Sequence, residues 1–274
     1  ISEEVKHEQE ITTANVQLEK AKIAAEAASV AKSQFLATMS HELRTPMTGV
    51  MGMLDLMRGS GLTGEQGRYA TLAYDSAESL LLILNDILDF SKIEAGQMKI
   101  EREEFALRAE IDKVNALLTP LANKKGDTLR TEVDAAIPDR LWGDSARIRQ
   151  VLFNLVGNAV KFTQEGLVHV KVARAGTEAE PRLRFDVTDT GAGISKEAQA
   201  KLFRPFVQGD GSSSRKAGGT GLGLAISKGI IEEHRGRIWV ETGGGPGTCF
   251  AFWVPIRRVV EEADSYPEGQ RDAA

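Results

Sequence analysis

The sequence predicts an α+β protein, a helical hairpin followed by a sheet layered with helices on one face. Two patterns carry this. Apolar residues recur at steps of three and four from Leu36 to Ser91, the signature of packed helices. Past Gln97, short runs of alternating hydrophobicity and amphipathic helices follow one another without regular βαβ order, which points to an α+β sandwich and not a doubly wound sheet. The 274 residues, 42% hydrophobic and 27% charged, suit about two domains of a globular chain.

The opening segment, residues 1–34, is rich in Ala, Glu and Lys. Ile11, Ala14, Leu18, Ala21, Ala25 and Ala28 keep heptad spacing, so it reads as a coiled-coil signalling helix or a plain spacer. A second seam follows at Leu36, Ser40, Leu43, Met47, Val50, Leu54 and Met57, shifted by about one residue. This helix should end near Arg58, before the turn-forming Gly59-Ser60-Gly61, with a kink at Pro46. Ala70, Ala73, Ala77, Leu80, Leu84, Ile87 and Ser91 mark the return helix, closing near Gly96. One hairpin is too small to bury both apolar faces, so residues 35–96 are expected to form a four-helix bundle in a homodimer.

Residues 97–257 are expected to form a second domain. Strands are predicted at Met98–Glu103, Thr128–Val133, Leu167–Ala173, Arg182–Asp189, Arg237–Glu241 and Thr248–Pro255. Helices are predicted at Arg108–Leu121, Asp144–Phe162, Lys196–Phe203 and Gly221–His234. His169 falls on the outward parity of its strand, and His234 in a helix's last turn, where a cation suits the macrodipole. The polar tail, 258–274, reads as a disordered linker.

Net charge of −5 gives no electrostatic case for nucleic acid. Cys249, the only cysteine, excludes an internal disulfide and a cysteine-based metal site, and sits among residues that suggest burial. No apolar run approaches the ~20 residues needed to span a bilayer, so a cytoplasmic fragment is expected. A start at Ile1 without Met reads as a piece of a longer protein whose upstream sensor domain is missing.

Four places can carry chemistry. His41 lies two residues before Leu43 of the seam, turned about 200° from it, and so points outward. Glu42 is adjacent, and Thr45 shares nearly the same face. A neutral imidazole beside a carboxylate is a nucleophile with its own base; a solvated surface histidine fits the same residues. On the helix ending at Phe162, Arg147, Asn154, Asn158 and Lys161 flank the apolar stripe. They are either its polar edge or ligands for Mg²⁺ and phosphate. Asp189 shares inward parity with Leu183, Phe185 and Val187, so a strand's buried face ends in a carboxylate. It needs a donor, either a flat ligand approaching over Asp189-Thr190-Gly191-Ala192-Gly193 or a nearby arginine. Gly209–Gly223 has the composition of a mobile loop and runs into an apolar helix, a phosphate cradle or a capped surface loop.

Together these residues resemble the sensor histidine kinases of two-component signalling, over about residues 30–256. Ser40–Pro46 resembles the phosphoacceptor H box, Asn154–Thr163 the N box, Asp189–Gly193 the G1 box and Phe203–Phe206 the F box. Gly219–Gly223 is similar to the G2 box and Gly245–Thr248 to a final glycine-rich turn. The resemblance implies a dimerisation and phosphotransfer domain followed by a Bergerat-type ATP-binding domain, with ATP and Mg²⁺ as cofactors. It implies autophosphorylation of His41, oriented by Glu42, and transfer to an aspartate of a receiver domain, with Thr45 assisting removal of phosphate from that receiver. Asp189 would accept the adenine amino group and Asn158 would hold Mg²⁺, with Asn154 beside it. Lys161, Arg215 and Lys216 would lie near the phosphates. Gly191, Gly193, Phe203, Phe206, Gly219, Thr220, Gly221, Leu222, Gly223 and Thr248 would complete the nucleotide site.

Ala192 stands where relatives often carry a larger aliphatic residue. The run Ile87–Gly96 resembles the hybrid subgroup, whose chains continue into a receiver. Two rivals are a related ATPase, whose catalytic glutamate would stand where Asn154 does, and a degenerate kinase acting as a dimeric scaffold.

Overall fold

The computed structural model describes residues 3–207, 220–241 and 246–258, without the side chains of 3–6, 8–11, 24–29, 33, 37, 257 and 258. It divides into two compact units, residues 1–99 with 200–230, and residues 100–199 with 231–274.

The first unit is built on an antiparallel hairpin of α1 (Glu3–Gly59) and α2 (Gly64–Glu94). α1 is unbroken for 57 residues and continues through Pro46. Its expected seam is filled on one edge only. Ser40 is buried and Leu36, Met47 and Leu54 are half-buried, whereas Leu43, Val50 and Met57 stay exposed. On α2, Ala70, Ala77 and Ser91 are buried, but Leu80 and Ala73, expected in the same strip, are exposed and Leu81 is half-buried in their stead. The difference has a simple cause. A single hairpin covers one flank of each helix and leaves the other, with Met53, Leu56, Leu72 and Leu82, facing solvent. Ile11, Ala25 and Ala28 of the opening heptads lie outside the described side chains. Within this unit the 200–207 stretch returns to α2, where Phe206 meets the ring of Phe90 edge-on at 5.9 Å.

The second unit is a two-layer sandwich. Strands β2 (Thr128–Val133), β4 (Leu167–Gly176), β5 (Pro181–Asp189), β7 (Thr248–Pro255) and β6 (Arg237–Glu241) form one sheet in the order β2-β4-β5-β7-β6. β2 and β4 are parallel; the other neighbours are antiparallel. Period-two alternation holds: Val168, Val170, Val172, Leu183, Phe185 and Val187 are buried on the face that α3 (Leu107–Lys124) and α4 (Ser145–Phe162) cover. Phe185 and Phe252 stack at 4.4 Å in its centre. On the opposite face Arg182 lies over Trp253 and Arg184 over Trp239, cationic stems covering aromatic surface.

Several expected boundaries move. The strand expected at Met98–Glu103 begins instead at Glu103, as β1 (Glu103–Ala106), because Glu101 N–H turns aside to donate to the Asp144 carboxylate at 3.0 Å. Its partners in a small second sheet, β3 (Arg140–Gly143) and β8 (Arg257–Arg258), were not expected. The helix expected to reach Phe203 is only α5 (Lys196–Gln199). α6 covers Gly223–Glu233, starting two residues late, since Gly221 has φ +70°. His169 is half-buried, 3.5 Å from Glu132, and His234 is buried just past α6. Cys249 is half-buried. No helix among the described residues is long and apolar enough to cross a membrane. Residues 259–274 of the expected linker lie outside the described residues.

Candidate functional site

In the second unit the candidate residues lie on α4 and at the ends of β5 and β7. α4 starts on Asp144, whose carboxylate accepts the Arg147 N–H at 3.0 Å as an N-cap. Ile148, Val151, Leu152, Leu155 and Val156 fix its rotation by burial, which leaves Asn154, Asn158 and Lys161 half-buried along one edge. The Asn158 amide donates to the Asn154 side-chain oxygen at 3.3 Å, so the Asn158 oxygen is turned elsewhere. Burial pushes the Lys161 ammonium below the usual lysine range, a cation whose charge an anion would restore.

Asp189 ends β5 on the inward face and is 7% exposed. One carboxylate oxygen accepts the Gly191 N–H at 2.8 Å, and the Thr248 backbone N–H is a second donor. Burial raises its pKa above the usual carboxylate range, and these two bonds only partly oppose that. Among the described residues no arginine or lysine neutralises it. The floor around it is closed to side chains. A Cβ on Gly191 would fall 2.5 Å from the Phe162 carbonyl oxygen, and one on Gly247, at φ +99°, would fall 2.3 Å from the Asp189 carbonyl oxygen. Gly193 has φ +77°. Thr248 is buried and paired with Asp189 across β5 and β7. A buried, uncompensated acceptor on a glycine floor fits a planar N–H donor such as adenine.

The first unit holds the other candidates. His41, Glu42 and Thr45 are exposed on α1. The Thr45 hydroxyl donates to the His41 carbonyl at 3.2 Å, and Arg44 donates to Asn85 of α2 at 2.9 Å. These bonds hold the turn bearing the imidazole. Phe203 is half-buried; Phe206, at φ +61°, is exposed and donates its N–H to the Gly221 carbonyl at 3.0 Å. A Cβ on Gly221 would meet the Phe206 backbone at 3.0 Å. The Thr220 hydroxyl accepts from Leu222 N–H and donates to the Asp86 carboxylate, both at 3.1 Å. Leu222 is buried and Gly223 opens α6. Burial raises the pKa of Asp86, Thr220 opposes the rise, and Asp89 adds to it. Arg215, Lys216 and Gly219 lie outside the described residues.

Sequence reasoning passed over Asp86, Lys125 and Asp127, and the partner of the Thr190 hydroxyl. Each acts through a partner distant in sequence, and a sequence pattern carries no signal of that kind. Thr190, for example, uses its hydroxyl to accept the Leu167 N–H at 2.9 Å, locking β4 to the loop after β5.

Comparison with known proteins accords with both halves. Residues 31–96 match the family described as His Kinase A (phospho-acceptor) domain. Residues 143–258 match the family of histidine kinase-, DNA gyrase B- and HSP90-like ATPases. The chain is 45% identical over 231 residues to the sensory/regulatory protein RpfC of Xanthomonas campestris, covering 84% of this chain and 32% of that protein. It is 44% identical over 269 residues to the sensor protein GacS of Pseudomonas syringae, covering 95% and 29%. To the signal transduction histidine-protein kinase BarA of Escherichia coli K12 it is 41% identical over 243 residues, covering 88% and 26%. The chain therefore spans about a third or less of these relatives' length. Among solved structures, full-length ShkA in complex with AMPPNP superposes with a TM-score of 0.68 at 36% identity, covering 81% of this chain and 46% of that one. The expected hairpin and sandwich are thus both present, and the chain belongs to the sensor histidine kinase family.

Proposed function

We propose that this chain is a kinase core that uses ATP to phosphorylate His41 and passes the phosphoryl group to an aspartate of a receiver domain. The observation that carries the nucleotide half is Asp189, a buried carboxylate with backbone donors, no cation beside it among the described residues and a floor that excludes side chains. Its remaining acceptor capacity suits the exocyclic amino group of adenine. The chemical half rests on His41, an exposed imidazole directly followed by an exposed carboxylate.

In the proposed reaction an imidazole nitrogen of His41 attacks the γ-phosphorus. The bond from phosphorus to the β–γ bridging oxygen breaks, and ADP leaves with that electron pair. Glu42 holds the proton on the other ring nitrogen. Most of the acceleration then comes from positioning and charge neutralisation. Asn158 would hold Mg²⁺ through its side-chain oxygen, and the ion would neutralise phosphate charge. Lys161, Arg215, Lys216 and the backbone of Gly219–Gly223 would supply further positive charge and N–H donors. Gly193, Phe203 and Phe206 would shape the rim.

We assign residues 1–34 to signal transmission, 35–96 to dimerisation and phosphotransfer, 97–257 to nucleotide binding and 258–274 to a linker. Support for the C-terminal part of that nucleotide-binding assignment comes from the family match over 143–258. The parent would be a hybrid kinase, working as a homodimer in the cytoplasm, where ATP is made. Phosphatase activity toward the receiver, aided by Thr45, belongs to the same proposal.

The test is incubation with γ-labelled ATP and Mg²⁺. Acid-labile, alkali-stable label that disappears in His41→Gln supports the assignment. Label that survives the substitution overturns it.

A further inference from the structure

The last turn of α4 should leave four carbonyl groups without intrahelical donors, those of residues 159–162. The structure accounts for three. Ala159 accepts from the N–H and the hydroxyl of Thr163, at 3.0 and 2.8 Å. Val160 and Lys161 both accept from one side chain, the Lys125 ammonium, at 2.5 and 2.9 Å, and the same nitrogen donates to the Thr163 carbonyl at 2.5 Å. Lys125 follows α3 directly, 35 residues before the nearest of these acceptors in sequence. Three converging carbonyls match the three N–H bonds of an ammonium, and a planar guanidinium cannot serve all three.

Asp127 extends the clamp. It is buried, one carboxylate oxygen accepts the Gly166 N–H at 3.0 Å, and the other lies 3.9 Å from the Lys125 nitrogen. Thr128 N–H donates to the Gly166 carbonyl at 2.8 Å. Residues 160–166 are therefore tied on one side to 125–128. On their other side they meet the Asp189 loop. Gly166 has no room for a Cβ, which would fall 2.3 Å from the Thr190 hydroxyl oxygen, and the Phe162 carbonyl closes over Gly191.

We infer that Lys125 is a positioning residue for nucleotide binding. It touches no ligand itself; it fixes the end of α4, and through Phe162 and Gly166 it sets the loop whose Gly191 N–H orients the Asp189 carboxylate. Loss of the clamp lets the last turn of α4 fray, which loosens the floor under adenine. The effect falls on binding more than on phosphoryl transfer, because His41 and Glu42 lie on another element. This inference rests on the nucleotide reading above.

Lys125→Met keeps the length of the side chain and removes its charge and donors. Measured by calorimetry on the full chain, the Kd for ADP should rise about tenfold, the loss expected when a charge-assisted hydrogen bond is misplaced. The KM for ATP should rise in parallel, with labelling of His41 at saturating ATP within about threefold of wild type. Arg108→Met is the control. Arg108 also donates to backbone carbonyls, those of Asp134 and Ile137, but away from α4, and its loss should lower the melting temperature and leave the ADP Kd unchanged. If Lys125→Met does not fold, Asp127→Asn, which keeps an acceptor for Gly166, decides the matter by raising the Kd about threefold. Unchanged ADP affinity in the folded variant, or an equal loss in Arg108→Met, overturns the inference. Wild-type protein that binds no ADP overturns the nucleotide reading and this inference with it.

Discussion

The carbonyl oxygen of Phe162 closes the space above Gly191: a Cβ there would lie 2.5 Å from that oxygen and 3.0 Å from the Asp189 carboxylate. The end of α4 and the loop after β5 therefore cannot tolerate even a methyl group between them. Gly191→Ala must displace backbone, and overpacking of this kind costs about 1–3 kcal/mol. The expected result is a folded protein, by circular dichroism, whose ADP affinity falls by roughly ten- to a hundredfold. Wild-type affinity in that variant would remove the loop from the binding site.

Asp189 gives a prediction with opposite signs for stability and binding. Burial raises its folded pKa, so the folded state resists ionising it, and this group favours folding at low pH and loses that contribution as pH rises through the raised value. Asp189→Asn removes the charge, so the nucleotide-free variant should melt at a higher temperature than wild type at pH 7 while binding ADP at least tenfold more weakly, an ionic acceptor being worth about 1.5–3 kcal/mol. In wild type, ADP affinity should fall on acidification, with a midpoint above the ordinary aspartate range. A lower melting temperature for the variant would contradict the desolvation account.

On α1 the Thr45 hydroxyl is engaged with the His41 carbonyl and is exposed. Thr45→Ala should leave labelling of His41 within about fivefold, since a solvent-exposed hydrogen bond contributes about 1 kcal/mol or less. Receiver dephosphorylation should drop far more. Equal loss of both activities would count against the role given to the hydroxyl.

Met53, Leu56, Leu72 and Leu82 are each more than half exposed. A second hairpin that covers them gains about 1.5–3 kcal/mol per fully buried side chain. Sedimentation should find a dimer, and Leu56→Glu combined with Leu72→Glu should yield monomers. A wild-type monomer at micromolar concentration would refute the bundle.

How much of this was legible in the sequence depended on the range of the forces involved. The hairpin, β2, β4, β5, β6, β7 and α4 follow from periodicity, a local property. β3 did not, because Arg140–Gly143 is four residues long and its strand character comes from pairing with β1 and β8. α5 stopped short of Phe203 for the same reason in reverse: its helical pattern lacks a buried face, and none of its residues is buried. In the candidate site, the parity of β5 placed Asp189 inward correctly. The absence of a cationic neighbour among the described residues and the clamp at Lys125 depend on contacts that only the folded chain makes. Glu110 is a further case, buried on α3 between Lys113 and Arg149, which hold its carboxyl below the usual range against the opposing effect of burial.

α1 has one proline, and its place matters. At about 1.5 Å per residue the helix is roughly 85 Å long, and from Glu3 to Thr45 its backbone ladder meets no breaker before Pro46. If residues 1–34 transmit a signal as proposed, a twist imposed near the start would reach His41 along a stiff shaft, while Pro46 deletes the bond to the Glu42 carbonyl just beyond it. On that proposal the imidazole would ride on the driven side of a soft joint, and a turn of about 20° would swing its ring tip, some 6 Å from the axis, by about 2 Å, enough to bring the proposed nucleophile into line or take it out.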